Sequence, residues 1–435
     1  MVAMGPDRAV TEPGQQVPGP GLTVTSVEVP DPGDLLGRLP GPAALAWVRR
    51  GDGLVGWGEA ARLTLPAGTD RFTAGEKWLR ELFDEARVTD EAGVPGSGPV
   101  AFGSFTFDPA CEGSVLIVPR VLLARRDGRS WLTTVGDRPA PAAGRSGLGQ
   151  LPAPAPVTVP GQVRWSDGSL SAPQWEQAVA AAVTAIRAGQ LSKVVLARDL
   201  QARAAGPIDP RLLLARLAAR YPDCYAFSCD GLVGATPELY IRRTGGRVAS
   251  LVLAGTAPRG GSPPEDDALG AGLLSSAKNV EEHGYAVAAV RAALAPLCAE
   301  LSVAPAPALL RLANVQHLAT RVTGVLAAPA GGLPSALALA AALHPTPAVC
   351  GTPRAAALQM IRDLERMDRG RYAGPVGWVD AAGNGEWGIA LRCAAVDGPR
   401  ARLFAGCGIV ADSDPAAELA EAQAKFRPVQ QAIDS

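Results

Sequence analysis

Apolar residues recur along this chain with two different periods, and the order in which those periods alternate predicts the class of fold. Across residues 43–135 the strand period of two dominates. Residues 46–57 surround the turn Arg50-Gly51-Asp52-Gly53, and residues 114–134 alternate about Asp127-Gly128. One stretch at 75–88 carries apolar residues at helical spacing instead. Residues 137–173 are rich in Pro, Gly and Ala and read as a linker or long surface loop. Ser171-Ala172-Pro173 then opens a helix predicted to run to Ala188 and stop at Gly189, and 191–200 has the β-branched content of a strand. Hairpins follow, 232–242 with 247–253, and 373–379 with 386–396 and 400–404 across Gly383-Asn384-Gly385. Strands paired by short turns and mixed irregularly with helices favour an α+β fold with antiparallel sheets over a doubly wound parallel one. The predicted organisation is a disordered tail (1–40), a strand-rich first part (41–135), the linker (136–173) and a large remaining region (174–435).

Composition narrows the classes of function. The chain has 435 residues, 47% of them hydrophobic, enough core for one large domain or two ordinary ones. With 41 basic and 42 acidic residues the formal charge is -1, so no global field draws in nucleic acid or an anionic membrane. Any charged ligand must be recognised locally. Residues 1–20 lack the apolar run of a signal peptide, and the apolar stretch 335–343 falls far short of the ~20 residues of a membrane span. Seven cysteines, at 111, 224, 229, 298, 350, 393 and 407, form no C-x-x-C pair, and His283, His317 and His344 are not spaced as metal pairs. These features predict neither a zinc site nor a disulfide framework, and a cytoplasmic protein.

Candidate chemistry is densest at the C-terminus. Phe404-Ala405-Gly406-Cys407-Gly408-Ile409-Val410 leads through Ala411-Asp412-Ser413-Asp414-Pro415 into a helix that Asp414 can cap. Glu418, Glu421 and Lys425 then share one helical face. That spacing alone equally fits a solvated face with ion pairing, but the Gly406-Cys407-Gly408 turn offers bare N–H groups to an anion. A second acidic cluster, Lys278-Asn279-Val280-Glu281-Glu282-His283, lies in a helical pattern from about 266 to 301. Hard divalent cations take carboxylate oxygens, so Glu282 facing the terminal helix would make a cation site.

Two strand-borne segments add titratable groups: Ser192-Lys193-Val194-Val195-Leu196-Ala197-Arg198 and Gly234-Ala235-Thr236-Pro237-Glu238-Leu239. Lys193 and Glu238 fit edge-strand solubility devices. They fit equally a base and an acid that desolvation tunes towards neutrality. Further Gly-rich or polar segments are Leu253-Ala254-Gly255-Thr256-Ala257-Pro258-Arg259, Gln316-His317-Leu318-Ala319-Thr320 and Tyr372-Ala373-Gly374-Pro375-Val376-Gly377-Trp378. Arg392, within Ala390-Leu391-Arg392-Cys393-Ala394, needs a partner, and a carboxylate bound bidentately is the natural one.

These segments, in this order from about Trp175 to Arg427, resemble the chorismate-utilising family of isochorismate, salicylate, anthranilate and aminodeoxychorismate synthases. The resemblance implies one large α+β domain of two antiparallel sheets packed together with helices outside, and an active site in the cleft between the sheets. It implies that Glu282 and Glu421 hold Mg2+ with Glu418 beside them, the metal in turn holding the ring carboxylate of chorismate. Lys425, Gly406 and Gly408 would assist at that carboxylate, Arg392 and Tyr372 would bind the enolpyruvyl carboxylate, and Gly255, Thr256, His317 and Thr320 would line the ring.

Within the family, a lysine at position 193 resembles the members that use water as nucleophile, where anthranilate synthases carry glutamine. Ala254 replaces the lysine of aminodeoxychorismate synthases. The Leu-Leu-Glu-Ser tryptophan motif has only Leu35-Leu36-Gly37-Arg38 as its nearest counterpart, and 343–351 looks like the isochorismate branch. The implied reaction has Lys193 deprotonate a water that attacks C2 while Glu238 protonates the departing C4 hydroxyl. The implied enzyme is a monomer with no amidotransferase partner, feeding menaquinone, siderophore or related biosynthesis. Alternatives are a salicylate synthase, an anthranilate-type synthase and a non-catalytic chorismate-binding protein.

Overall fold

The computed structural model describes residues 21–136, 147–328 and 332–434. The chain builds a 13-stranded and a 10-stranded sheet. Strand pairs are antiparallel except Thr23–Glu28 with Arg87–Asp90, which run parallel. The sheets pack face to face around large aromatics. Trp47 of the larger sheet donates from Nε1 to Glu386 Oε2 of the smaller one at 2.8 Å, and Trp47, Phe102, Phe227 and Trp387 are fully buried.

The helices lie outside. Ala172–Arg187 begins at Ser171, where a capping box with Gln174 satisfies the first N–H groups, and buries Trp175, Ala178, Val179, Ala182, Val183 and Ile186 along one stripe. It packs on the C-terminal helix Pro415–Asp434, which covers the strand Arg400–Ile409. On the other sheet, Ala277–Leu294 lies against the strand Arg247–Pro258. No helix among the described residues is long and apolar enough to cross a membrane.

Several expectations need correction. The tail expected to residue 40 is shorter, since Thr23–Glu28 pairs with Arg129–Gly136; residues 1–20 of that tail lie outside the described residues. Residues 137–146 of the expected linker also lie outside them, while Val163–Asp167 near its end is a strand paired with the Lys193 strand. The single helix expected over 266–301 is two helices, Pro263–Ser275 and Ala277–Leu294, broken at Ser276, whose Oγ accepts from Asn279 N; the end of the range is the strand Cys298–Val303.

The two expected hairpin groups are each divided between the sheets. Leu232–Thr236 belongs to the larger sheet and Leu239–Thr244 to the smaller, and the chain crosses at Pro237, which has no N–H to give a ladder. It crosses back between Gly385–Ile389 and Cys393–Asp397, where Arg392 turns through φ 47°. Both crossings fall at the same place between the sheets, which puts Glu238 and Arg392 into one cleft.

The inter-sheet seam has no spare volume at Gly388. A Cβ there would stand 2.8 Å from the Trp47 ring and 2.9 Å from Glu238 O. Gly388→Ala is therefore expected to lower stability by ~1–3 kcal/mol through overpacking. Urea unfolding checks this, and a midpoint equal to that of the unsubstituted protein would contradict the tight seam.

Candidate active site

The strand Lys193–Ala204 carries Lys193 into the protein with no exposed surface. Its Nζ lies 2.9 Å from Glu282 Oε1 on the helix Ala277–Leu294, in ion-pair contact but not aligned for a hydrogen bond. Space for this pair comes from Gly408, opposite Val195 on the neighbouring strand. A Cβ at Gly408 would sit 2.3 Å from Glu282 Oε1 and 3.0 Å from Lys193 Cε. Residues 406–408 are thus not the anion-binding turn expected from sequence. They lie within the strand Arg400–Ile409, and their glycines leave room for side chains, Gly406 facing Tyr372 Oη.

A cleft open to solvent lies beside this pair, between the sheets. Of the expected site residues, Glu238, Gly255, Thr256, Glu282, His317, Tyr372, Arg392, Gly406, Gly408, Glu418, Glu421 and Lys425 all line it. Lys193 does not line it but reaches it through Glu282. Thr320 also stands behind the wall, its Oγ1 2.7 Å from His283 Nε2, because its strand turns that side chain towards the helix rather than the cleft.

Electrostatics differ around the cleft. Burial pushes the Glu238 carboxyl up to about 8, against a backbone hydrogen bond from Leu253 and the charge of Lys193. At neutral pH this group is a proton donor. Burial, helped by the charges of Arg392 and Lys425, pushes the His317 imidazole down to about 3, so the ring is neutral. Its Nδ1 lies 3.3 Å from Gly255 O and 3.1 Å from Thr256 Oγ1. A carbonyl only accepts, which assigns the proton to Nδ1 and leaves Nε2 as an acceptor. That Nε2 is buried without a protein partner. Gly255 makes this possible at φ 76°, in a bulge that interrupts the register between Ala254 and Thr256. Arg392 also has a shielded Nη1 without a partner, and burial pushes its guanidinium down. Tyr372, beside it, stacks on Phe404 with ring centroids 5.1 Å apart.

The C-terminal helix supplies the opposite wall, started by Asp414 Oδ1 accepting from Ala417 N at 2.8 Å. Glu418, Glu421 and the Cys407 thiol place ligand atoms within 4.8 Å of one another. Glu282 is not part of that group and stands on Lys193 instead. Lys425 Nζ pairs with Glu421 Oε1 at 2.6 Å and donates to Gly406 O at 2.7 Å, while Lys278 Nζ lies 3.4 Å from Glu418 Oε1. Burial and the neighbouring Glu421 hold the Glu418 carboxyl above its usual range. For Glu421 burial acts upward but is outweighed by Lys425, and its carboxyl is lowered. Cys407 donates to Glu418 O, and burial keeps its thiol protonated. The remaining donors are carboxylate oxygens, a set suited to a hard cation.

Sequence reasoning passed over Lys278 and Asn279, which line the cleft one helical turn before Glu282 and Glu281. Their signal was the i, i+4 spacing of Lys278 to Glu282. The apolar walls Val195 and Leu253 have no signal that separates them from core, whereas Ala254 was marked only by the family resemblance.

The chain is similar to known proteins over most of its length. The model of a family described as chorismate binding enzyme matches residues 45–434. The salicylate biosynthesis isochorismate synthase of Pseudomonas aeruginosa is 44% identical over 67% of this chain and 61% of its own length. Isochorismate synthase MenF of Bacillus subtilis is 34% identical over 87% of this chain and 85% of its own. Among solved structures, the menaquinone-specific isochorismate synthase of Escherichia coli superposes with a TM-score of 0.77, at 26% identity and 95% coverage of both chains. A match through both sheets and every wall of the cleft leaves no part of the site outside the likeness: the chain belongs to the chorismate-binding enzyme family.

Proposed function

We propose that this protein is an isochorismate synthase that adds water to C2 of chorismate and expels the C4 hydroxyl, using Mg2+. The observation that carries the reading is that Glu238 lines the cleft with its carboxyl kept protonated by burial, while the amine of Lys193 stands just behind the wall against the cleft-lining carboxylate of Glu282. The reaction needs one group to take a proton and another to give one, and Lys193 and Glu238 differ in that sense.

In the proposed step Lys193 Nζ takes a proton from water, and Glu282 at 2.9 Å balances the charge that forms. The water oxygen bonds to C2, the ring double bonds shift, and the C4–O bond breaks as Glu238 delivers its proton to the leaving hydroxyl. One water enters and one leaves. Proton transfer from Lys193 back to Glu238 through solvent restores both groups. Arg392 and Tyr372 hold the enolpyruvyl carboxylate, which would satisfy the unpartnered Nη1. His317 Nε2, Gly255 and Thr256 meet the ring and its hydroxyls. Thr320 contributes only through His283. Glu418 and Glu421 would hold the metal with Glu282 across the cleft, and Lys278 and Lys425 already place positive charge on the first two. When bound, Mg2+ supplies charge balance and a template for the ring carboxylate.

Isochorismate formation is the reaction in the names of relatives from salicylate and from menaquinone routes. The proposed enzyme is a cytoplasmic monomer that works without an amidotransferase. Its product is isochorismate rather than salicylate: by resemblance, salicylate-forming members carry a hydroxyl-bearing residue at the position where Ala348 presents a bare methyl in the cleft wall.

Lys193→Ala and Glu238→Gln should each fold, by circular dichroism, and lose roughly 10²- to 10⁴-fold in kcat. The pH profile separates their roles. An acid raised to about 8 is protonated below that pH, so kcat/KM should hold at neutral pH and fall as pH rises past it. Glu238→Gln should erase that alkaline limb, and an unchanged limb would reassign the proton donor.

For the metal, outer-shell partners alone are worth about 10- to 100-fold in affinity, so Glu421→Ala should weaken Mg2+ binding by more than roughly tenfold. Isothermal titration calorimetry reads this directly, together with loss of Mg2+-dependent turnover. Equal affinity in the variant would remove Glu421 from the metal site.

Incubation with chorismate and Mg2+ near neutral pH should give isochorismate approaching a reversible equilibrium. Stoichiometric salicylate and pyruvate, separated by chromatography, would overturn the product assignment. No turnover at all, with chorismate still bound, would point to the non-catalytic alternative.

A further inference from the structure

The strand that carries Lys193 is incompletely paired. Along one edge the Arg400–Ile409 strand matches it from Val194 to Arg203. On the other edge Gly351–Thr352 covers Lys193 and Val194, and Val163–Asp167 covers Leu200 to Ala204. Residues 195–199, between these two, have no strand beside them on that second edge. Backbone polar groups buried there must be satisfied some other way.

They are satisfied largely by side chains. Ala197 N donates to Glu365 Oε1 at 2.7 Å, and Ala197 O accepts from Trp175 Nε1 at 3.1 Å. Val195 O accepts from Arg369 Nη2 at 2.7 Å, while Val195 N and Asp199 O reach Cys350 O and Gly168 N. Glu365 and Arg369 are 1% and 3% exposed and bind one another through Nε to Oε2 at 2.9 Å and Nη2 to Oε1. Together they present one acceptor and one donor to the strand edge, as a neighbouring strand would. Arg369 does more than a strand could. Its Nη1 donates to Val349 O at 2.8 Å, and its guanidinium lies 4.2 Å from the centre of the Phe107 ring. Val195 and Val349 both line the cleft.

The geometry points to Glu365 and Arg369 as positioning residues for the proposed reaction: one buried guanidinium spans the Lys193 strand and the 344–350 loop and fixes the separation of two cleft walls. The assignment rests on the isochorismate synthase reading for its kinetic consequence, but not for the clamp itself. Neither side chain touches the cleft. Only a planar fork held by a carboxylate can meet Glu365, Val195 O and Val349 O together, which a lysine ammonium at the same place cannot.

The test uses Arg369→Lys and Glu365→Gln, with Trp175→Phe as the comparison that removes a hydrogen bond to the same strand edge without touching Val349. Amide hydrogen exchange followed by mass spectrometry should show faster exchange in 193–199 and 346–350 for Arg369→Lys, with 200–204 as protected as before. In folded protein kcat on chorismate should fall roughly 10²-fold, the cost of about 1 Å of misplacement, with KM within about threefold. Glu365→Gln, which keeps an acceptor for Ala197 N, should lie between Arg369→Lys and the unsubstituted enzyme, and Trp175→Phe should keep kcat. Unchanged exchange in both segments overturns the clamp, and so does unchanged kcat in an Arg369→Lys protein that exchanges faster. Equal losses in Trp175→Phe would reduce the pair to ordinary strand support and also overturn it. If Arg369→Lys does not fold, Glu365→Gln decides by the same two readouts. Should the unsubstituted protein not convert chorismate, the reaction reading falls, while the exchange pattern still decides the clamp.

Discussion

Lys193 carries its amine to a place in a β-sheet that solvent does not reach, and the surroundings of the cleft follow from keeping it there. A buried amine with no opposite charge beside it could not take up a proton without a large cost, and removing one partner of a buried pair typically costs 3–5 kcal/mol by rough account. Glu282 provides the opposite charge from a helix on the other sheet. That contact requires the helix to approach the strand Arg400–Ile409 so closely that residue 408 has no room for a side chain. One ion pair thus joins the two sheets, sets a glycine and orients the face of the helix that also carries Lys278 and Asn279 into the cleft.

The sheets meet the cleft at the two places where the chain changes sheet. Pro237 and Arg392 interrupt their ladders, one by lacking an N–H and the other by a left-handed backbone. A chain leaving a ladder exposes side chains at the seam that would otherwise be committed to a sheet face. Glu238 and Arg392 are the side chains so released. Their environments push them in useful directions: burial favours the uncharged carboxyl and leaves the guanidinium short of a partner. The imidazole of His317, neutral and with its acceptor nitrogen facing inward, adds a third group whose hydrogen bonding the protein leaves incomplete. Incomplete polar groups around a cleft are what a polar ligand completes.

The opposite wall is of different character. Glu418, Glu421, Lys425 and Lys278 neutralise one another on and around the C-terminal helix, in a region where the Cys407 thiol stays protonated. The helix is held in place by Phe426, Val429 and Ile433, buried against neighbouring helices and the larger sheet. Packing energy from one face of the helix therefore holds the charged face at the cleft, which a short amphipathic helix in water could not do alone.

Elements governed by neighbours in sequence were legible in advance. The helix Ala172–Arg187 has its cap, its stripe and its stop written within eighteen or so residues, and such local signals are what set a helix of that length. The alternation of periods gave the α+β class, and the order of short polar and Gly-rich segments gave most residues of the cleft through family resemblance. What remained hidden depends on contacts distant in sequence. A period-two pattern runs unchanged through Pro237 and through Arg392, because inward and outward alternation does not record which sheet a strand has joined. Gly406 and Gly408 look like a turn until Tyr372, Glu282 and Lys193 are seen to occupy the space their side chains would fill. Thr320 and His317 share a strand, yet only the latter faces the cleft, since the other binds a histidine of the covering helix. Residue types and local order determined the chemistry this protein carries; the side of each strand that meets ligand, core or clamp was decided only when the sheets closed on one another, because burial and pairing are properties of the packed chain.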